Sequence, residues 1–365
     1  MLGAGPVGLT AATEAARLGR RVLLIERHPF AERGADNVNP TRVEAIPSAT
    51  LALLAQFGIT PRRIGASEVH GDRWVAWETA APASRPGPPT VHIERSLLES
   101  ALVDLVRTEP RITVCNVAVA RGVSAIDLGA ARVLDATGRH ALTSWFRMGP
   151  RHPWVGRLFW APRRAIQGPA TFSIAATPNG YAYRLGSTVG VTLGLVGRGP
   201  AMREGASGID CFLGCHAPWL LDGLPPISDM TPVSGGGATV QWGVAAPGTI
   251  LVGAAALARD ALSSQGLAAG LSEALVGASI ADGFDRVLFS RRQKEQRRAH
   301  VAHLLQICRS HRFVHEPAWA EYIAFLEREV RAPSLSSAAF VEGDLVGLVR
   351  RTRTASSTAA GRSTP

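Results

Sequence analysis

The residues with the clearest chemical meaning come first: Gly3, Gly5 and Gly8 in 3-GAGPVG-8, followed by Glu26 at the end of 21-RVLLIE-26. A GxGxxG run suits a dinucleotide for physical reasons. Its first glycine permits a tight turn, its second lets the backbone approach a pyrophosphate, and its third allows a helix to pack closely on a strand. A helix that opens there offers free amide donors to the anion. Glu26 stands 23 positions after Gly3 (26 − 3), a spacing that suits a carboxylate accepting from a ribose hydroxyl. The expected ligand is a dinucleotide with a free 2′-hydroxyl. FAD and NAD both remain open, because they share the same ADP half.

These residues need a frame. The run 9-LTAATEAARLG-19 predicts a helix ending at Gly19, and residues 21–26 predict a parallel strand buried on both faces. The strand that should precede the glycine loop is reduced to Met1 and Leu2. The expectation is that its remainder is encoded upstream, and that the sheet as written leaves ladder groups unpaired, at a cost to stability or cofactor binding.

Further along, 36-DNVNPTRVEAIPSATLALLAQFGI-59 contains a helix over 47–58. The segment 91-VHIERSLLESALVDLVRT-108 reads as a strand, Arg95 and an amphipathic helix, and 132-RVLDATGRHA-141 as a strand turning at Gly138. The stretch 249–278 gives a strand, a small-residue turn, a loop and a helix entered through Ser263, Ser264, Gln265 and Gly266. Between them, 154-WVGRLFWAP-162, 170-ATFSIAAT-177 and 188-TVGVTLGLVG-197 are strand-like, with turns at Pro178-Asn179-Gly180 and Gly186-Ser187. They predict a sheet over the cofactor edge, with Trp154, Phe159, Trp160, Tyr181 and Tyr183 as candidates for an aromatic pocket or for plain core.

Composition narrows the class. The chain has 365 residues and 46% apolar content, enough for a sizeable core. Net charge is +10, yet Lys294 is the single lysine among 39 basic residues. That bias reads as genome composition, despite the basic run 291-RRQKEQRR-298, so no nucleic-acid partner is expected. No stretch reaches the ~20 apolar residues of a membrane span, and no signal segment precedes the fingerprint; the expected location is cytoplasmic. Cys115, Cys211, Cys215 and Cys308 are scattered thiols, and Cys211, Cys215 and His216 lack a second pair to close a metal site. Residues 351–365 are low-complexity and expected to be a disordered tail.

The order of these motifs resembles the flavoprotein monooxygenases of the para-hydroxybenzoate hydroxylase fold. Within that group it is most similar to the branch of tryptophan halogenases and the maturases that build tryptophan-derived quinone cofactors. The resemblance rests on 3-GAGPVG-8 with Glu26, 44-EAIP-47, 93-IERSLLESAL-102, 134-LDATGR-139 and 260-DALSSQG-266, and 312-RFVHEPAWAEYIAF-325 is similar to the aromatic C-terminal helical segment of the maturase-like members.

The resemblance implies an α/β fold: a Rossmann-like FAD-binding domain from residues 1–60, 86–145 and 246–283, and a mixed β-sheet substrate domain from 61–85 and 146–245. A C-terminal helical segment, 284–350, would follow. It places Gly3, Gly5, Pro6, Val7, Gly8, Glu26, Arg27, Arg95, Asp135, Gly253, Ser264, Gln265 and Gly266 at the cofactor. Arg95 would face the ribityl chain or pyrophosphate, and the helix entered at Ser264 would aim its positive end at the flavin N1/O2 region.

The implied activity is an FAD-dependent oxidoreductase, a monooxygenase hydroxylating an aromatic substrate through a flavin C4a-hydroperoxide. Tryptophan within a peptide or protein is one such substrate. Electrons would come from NAD(P)H, directly or through a separate flavin reductase. A halogenase and a reductase or dehydrogenase of the same fold are alternatives. The halogenase guiding lysine and the WxWxIP signature have no counterpart here. Position 254 is alanine in 253-GAAA-256, where the family carries aspartate, so a relic that no longer binds FAD is a further alternative. No catalytic residue is assigned; His28, His92 and His140 lie near cofactor motifs without a partner that marks them.

Overall fold

The computed structural model describes residues 1–29, 42–69, 73–87, 90–123, 125, 127–165, 172–199, 202–233, 237–280 and 283–332. Positions 36–41, 333–350 and the tail 351–365 lie outside the described residues. The helices are α1 (Pro6–Arg17), α2 (Ala49–Ala55), α3 (Arg95–Thr108), α4 (Ala206–His216), α5 (Gly266–Ser279), α6 (Gly283–Arg309) and α7 (Pro317–Arg331).

A parallel sheet forms around the glycine loop. Val22–Glu26 pairs with Ile112–Asn116, and Val133–Asp135 pairs with Thr249–Leu251. Leu2 joins the two halves, bridging Ile25 on one side and Asp135 on the other, both in parallel. Its N–H donates to the Leu134 carbonyl and its carbonyl accepts from Ala136, while Gly3 N–H donates to Ile25, all at 2.9 Å. Met1 to Gly3 thus pair ladder groups of Leu23, Ile25, Leu134 and Ala136 that were expected to stand unpaired, beside the three-residue strand Val133–Asp135.

Helices cover this sheet because their apolar faces repeat at helical spacing. Leu9 and Ala12 of α1, Leu98 and Leu102 of α3, and Leu267 and Leu271 of α5 share one core. Ala11, Leu134, Val252, Ala274 and Phe289 form a second, which seats α5 and the start of α6 against the strands.

The second layer is a seven-stranded mixed sheet. Its order is Thr231–Val233, Val155–Pro162, Gly190–Gly197, Gly180–Gly186, Phe172–Thr177, Arg73–Ala76 and Ala83–Arg85. Residues Ser67–Val69 instead pair with Thr90–Glu94. Alternation along the strands sorts side chains to two faces. Phe159, Ala161, Ala182, Leu193 and Leu195 pack against Ile209 and Leu213 of α4, whereas Leu158, Tyr181, Tyr183 and Val196 turn to the opposite side.

The C-terminal helices close the far end. Trp319 and Tyr322 of α7 join Trp77, Trp154 and Tyr181, with Trp154 edge-on to Trp319 at 4.7 Å between centroids. Trp319 Nε1 donates to the Thr177 carbonyl at 2.8 Å. Burying each large side chain contributes about 1.5–3 kcal/mol, which holds a 15-residue helix that would be marginal alone.

Candidate cofactor and substrate site

A cavity of about 800 Å³ runs from the glycine loop to the aromatic face of the mixed sheet. Its size lies within the range of ligand sites. At the loop end the three glycines do different work. Gly3 has φ +87°, and a Cβ there would stand 2.8 Å from the Ala136 carbonyl oxygen. At Gly8 a Cβ would stand 1.9 Å from the Gly3 carbonyl oxygen. Gly5 has nothing within 4 Å of the same position and lines the cavity. The wall is thus open where a pyrophosphate would approach the backbone. Gly5 is also the N-cap of α1 and makes no side-chain cap bond, so the positive end of the helix faces the same space.

Glu26 lines the cavity where the strand ends. Its Oε2 accepts from Ala4 N–H at 2.7 Å and its Oε1 from His28 N–H at 3.1 Å. These bonds fix the direction of the carboxylate at the tip of the strand. Pro6, Val7 and Arg27 line the wall beside it.

Arg95 also lines the cavity, yet its guanidinium is engaged by carboxylates. Nη1 donates to Glu44 Oε1 at 2.9 Å and Nε to Glu99 Oε1 at 2.7 Å, and Glu44 also accepts from Arg42 Nε at 2.7 Å. Burial raises the Glu44 carboxyl, but the two arginines outweigh it and set its pKa at about 2. Arg95 therefore holds a charged corner of the cavity together.

Asp135 lies behind the wall rather than on it. It is fully buried, and its carboxylate accepts from the N–H and hydroxyl of both Thr137 and Thr143, at 2.6 to 3.0 Å. Its task is to shape the turn that presents Thr137 and Gly138 to the cavity. Gly8, Gly253 and Gln265 also stand off the wall. Gly253 has φ +59° and donates its N–H to Glu273 Oε2 at 2.9 Å, while Gln265 is exposed. Ser264, with φ +49°, and Gly266 do line the cavity at the start of α5. Ala254 lines it too, with a methyl group where the resemblance expects a carboxylate.

At the sheet end the aromatic candidates divide. Tyr181 and Tyr183 line the cavity with Phe172, Leu158, Ile174 and Val196. Trp154 is core, Phe159 faces α4, and Trp160 is not on the wall. Strand alternation decides this, because Phe159 and Leu158 must point to opposite faces. Burial pushes the Tyr183 hydroxyl up to about 12, with Arg42 opposing and Glu44 reinforcing the shift. The cations of the wall are arginines, including Arg139 and Arg259, and among the described residues no lysine lines it. Lys294 is exposed on α6.

Two residues that sequence reasoning did not single out complete the site. Asp260 lines the cavity and receives the Tyr181 hydroxyl at 2.9 Å and the Tyr322 hydroxyl at 2.6 Å. Asp260 opens the motif 260-DALSSQG-266 and Tyr322 lies within the aromatic stretch 312–325, but nothing in their spacing announces that they meet.

Residues 2–31 match the family described as NAD(P)-binding Rossmann-like domain. A search of curated sequences returned no match. Among solved structures, the chain is similar to the myxobacterial chondrochloren halogenase CndH, a variant of FAD-dependent halogenases. Identity is 17%, the match covers 96% of this chain and 88% of that one, and the TM-score is 0.70. It is also similar to the peptidyl tryptophan dihydroxylase QhpG, essential for tryptophylquinone cofactor biogenesis, at 20% identity, 88% and 77% coverage and a TM-score of 0.66. PqsL of P. aeruginosa, solved with 2-aminobenzoylacetate, matches at 13% identity, 89% and 98% coverage and a TM-score of 0.60. With its parallel sheet, its glycine loop and its sheet-roofed cavity, the chain has the α/β fold of the flavin-dependent halogenases and of peptidyl tryptophan dihydroxylase.

Proposed function

We propose that the chain is an FAD-dependent oxidoreductase, a monooxygenase that hydroxylates an aromatic substrate, with a tryptophan side chain in a peptide or protein as the first candidate. The observation that carries this reading is one continuous cavity joining the open Gly5 wall to the aromatic sheet face. Bound FAD would supply the redox chemistry and the activation of dioxygen. The chain's own residues would hold and shield it. The first turn of α1 would receive the pyrophosphate and Glu26 the ribose. The start of α5 at Gly266 would present amides to the ring, and the sheet face would exclude water.

The lack of a lysine on the described wall favours hydroxylation over halogenation. Electrons are assigned to NAD(P)H, acting directly or through a separate flavin reductase. Ala254 favours a second reading, a chain that has lost FAD. Reconstitution with FAD followed by an absorption spectrum separates the two. A folded chain that stays colourless overturns the enzyme reading. Oxygen consumption with reduced flavin and a tryptophan-containing peptide then tests the reaction; turnover that persists without oxygen excludes a monooxygenase, and turnover that requires halide assigns a halogenase.

A further inference from the structure

Arg259 and Glu273 form a buried ion pair to which the site described above gives no task. Their side chains are 7% and 6% exposed, and Arg259 Nη2 stands 3.6 Å from Glu273 Oε1. Arg259 is on the cavity wall, beside Asp260 and ahead of Ser264 and Gly266, whereas Glu273 lies behind that wall on α5. Glu273 is fixed from its other side. Its Oε2 accepts from Gly253 N–H at 2.9 Å, and the Gln293 side chain of α6 donates to the same carboxylate. The arginine is held less fully. Arg139 donates to two carbonyls, from Nη1 to Thr239 at 2.7 Å and from Nη2 to Arg259 at 3.2 Å. Among the described residues, Glu273 is the one acid paired with the Arg259 guanidinium, and a guanidinium carries five N–H donors.

Stability is a weak reason for such a pair, because well-packed apolar residues often do as well in its place. Burial lowers the Arg259 pKa and raises that of Glu273, and each charge opposes the shift of the other. His300 of α6 is held down to about 4, by burial first and then by the Arg259 charge, so it is neutral at ordinary pH and adds no charge. On the same stretch of wall Arg139 is offset by Asp260. Arg259 is thus the cation here whose counter-charge lies off the wall.

We propose that Arg259, pinned from behind by Glu273, tunes the electron affinity of the cofactor: the pair turns its positive end to the cavity and favours the reduced ring of bound FAD. This inference rests on the function proposed above. Reduction adds negative charge to the ring, and a cation on the wall stabilises that charge while a carboxylate behind the cation moderates it. Burial makes the arrangement effective, since an exposed arginine would be screened by water and salt. Arg259 therefore raises the reduction potential and Glu273 lowers it.

The test is the midpoint potential of the FAD-loaded protein, read by absorption against a reference dye. Arg259→Met should lower it by about 30 mV, which for a two-electron couple is a tenfold loss of preference for the reduced form. Glu273→Gln should move it the opposite way, because the amide keeps an acceptor oxygen for Gly253 N–H and removes the charge. Arg259→Lys should stay near the wild-type value. Damage to packing alone would shift the methionine and glutamine variants in the same direction, and that result overturns the inference. So do variants that keep the wild-type potential, or a lysine variant that behaves like the methionine one. Where Arg259→Met does not fold, the lysine and glutamine variants still decide: an unchanged and a raised potential support the inference, and any other pair overturns it. A wild type that takes up no FAD overturns the proposed function itself, and this inference with it.

Discussion

The two ends of the cavity are built in opposite ways. At the loop end, Gly3, Gly5, Gly8 and Glu26 come from one continuous stretch, and their positions follow from a turn, a helix and a strand. At the sheet end, Tyr181 and Asp260 are 79 residues apart, and Asp260 and Tyr322 are 62 apart. The first end is a local motif whose geometry travels with its sequence. The second exists only when a β-strand, a loop and the helix α7 dock together. The shape of the loop end can thus be written in a few adjacent residues, whereas the sheet end depends on the whole fold.

Substitutions test that contrast, and the largest effect is expected at Gly8. With its Cβ 1.9 Å from the Gly3 carbonyl oxygen, Gly8→Ala must push α1 off the strand, costing about 3 kcal/mol. Chemical denaturation and flavin content should both fall; an unchanged midpoint would mean that the loop end is not rigid. Gly5→Ala sharpens the point. There is room for the methyl group in the folded chain, so stability should change by under about 1 kcal/mol. FAD binding should nevertheless weaken about a hundredfold, or about 2.7 kcal/mol, as measured by flavin fluorescence titration. If stability and affinity fall together, the two glycines do not have separate roles.

A gain is expected at Ala254. Ala254→Asp places a charged acceptor on the wall and should tighten FAD binding about tenfold. Equal affinities would detach that position from the ribityl chain. The smallest effect concerns Glu44. Its folded pKa of about 2 lies below its ordinary 4.5, so the stability it contributes is present above about pH 4.5 and is lost as pH falls toward 2. The stability difference between wild type and Glu44→Gln should shrink over that window, read by denaturation at stepped pH. A difference that stays constant would show that the Arg95 and Arg42 contacts do not depend on the Glu44 charge.

Much of the architecture was legible in the chain itself. The helix α1, the strand Val22–Glu26, the strand and helix around Arg95, and the helix entered at Gly266 follow from apolar periodicity and glycine punctuation, which are local properties. The pairing of Met1 and Leu2 across the sheet was not legible, because which groups two residues reach depends on the register of the strands on either side. Arg95 shows the same limit from the side of charge. Its place between strand and helix was readable, but its partners Glu44 and Glu99 were not read as competitors for its guanidinium, since Glu44 arrives from another strand. Trp154 and Phe159 stood open between pocket and core in the sequence, because composition marks a residue as aromatic and only sheet alternation and the docking of α4 and α7 place both of them in the core.

What the sequence by itself determined is the loop end: the glycine spacing, the acid at the strand tip and the parallel frame around them. These are set by backbone sterics and side-chain period, which act over a few residues. Only the tertiary structure decided the polar floor at Asp260 and the division of the aromatics between cavity and core. Those depend on burial, and burial is a property of elements brought together from distant parts of the chain, with no signature in any one of them.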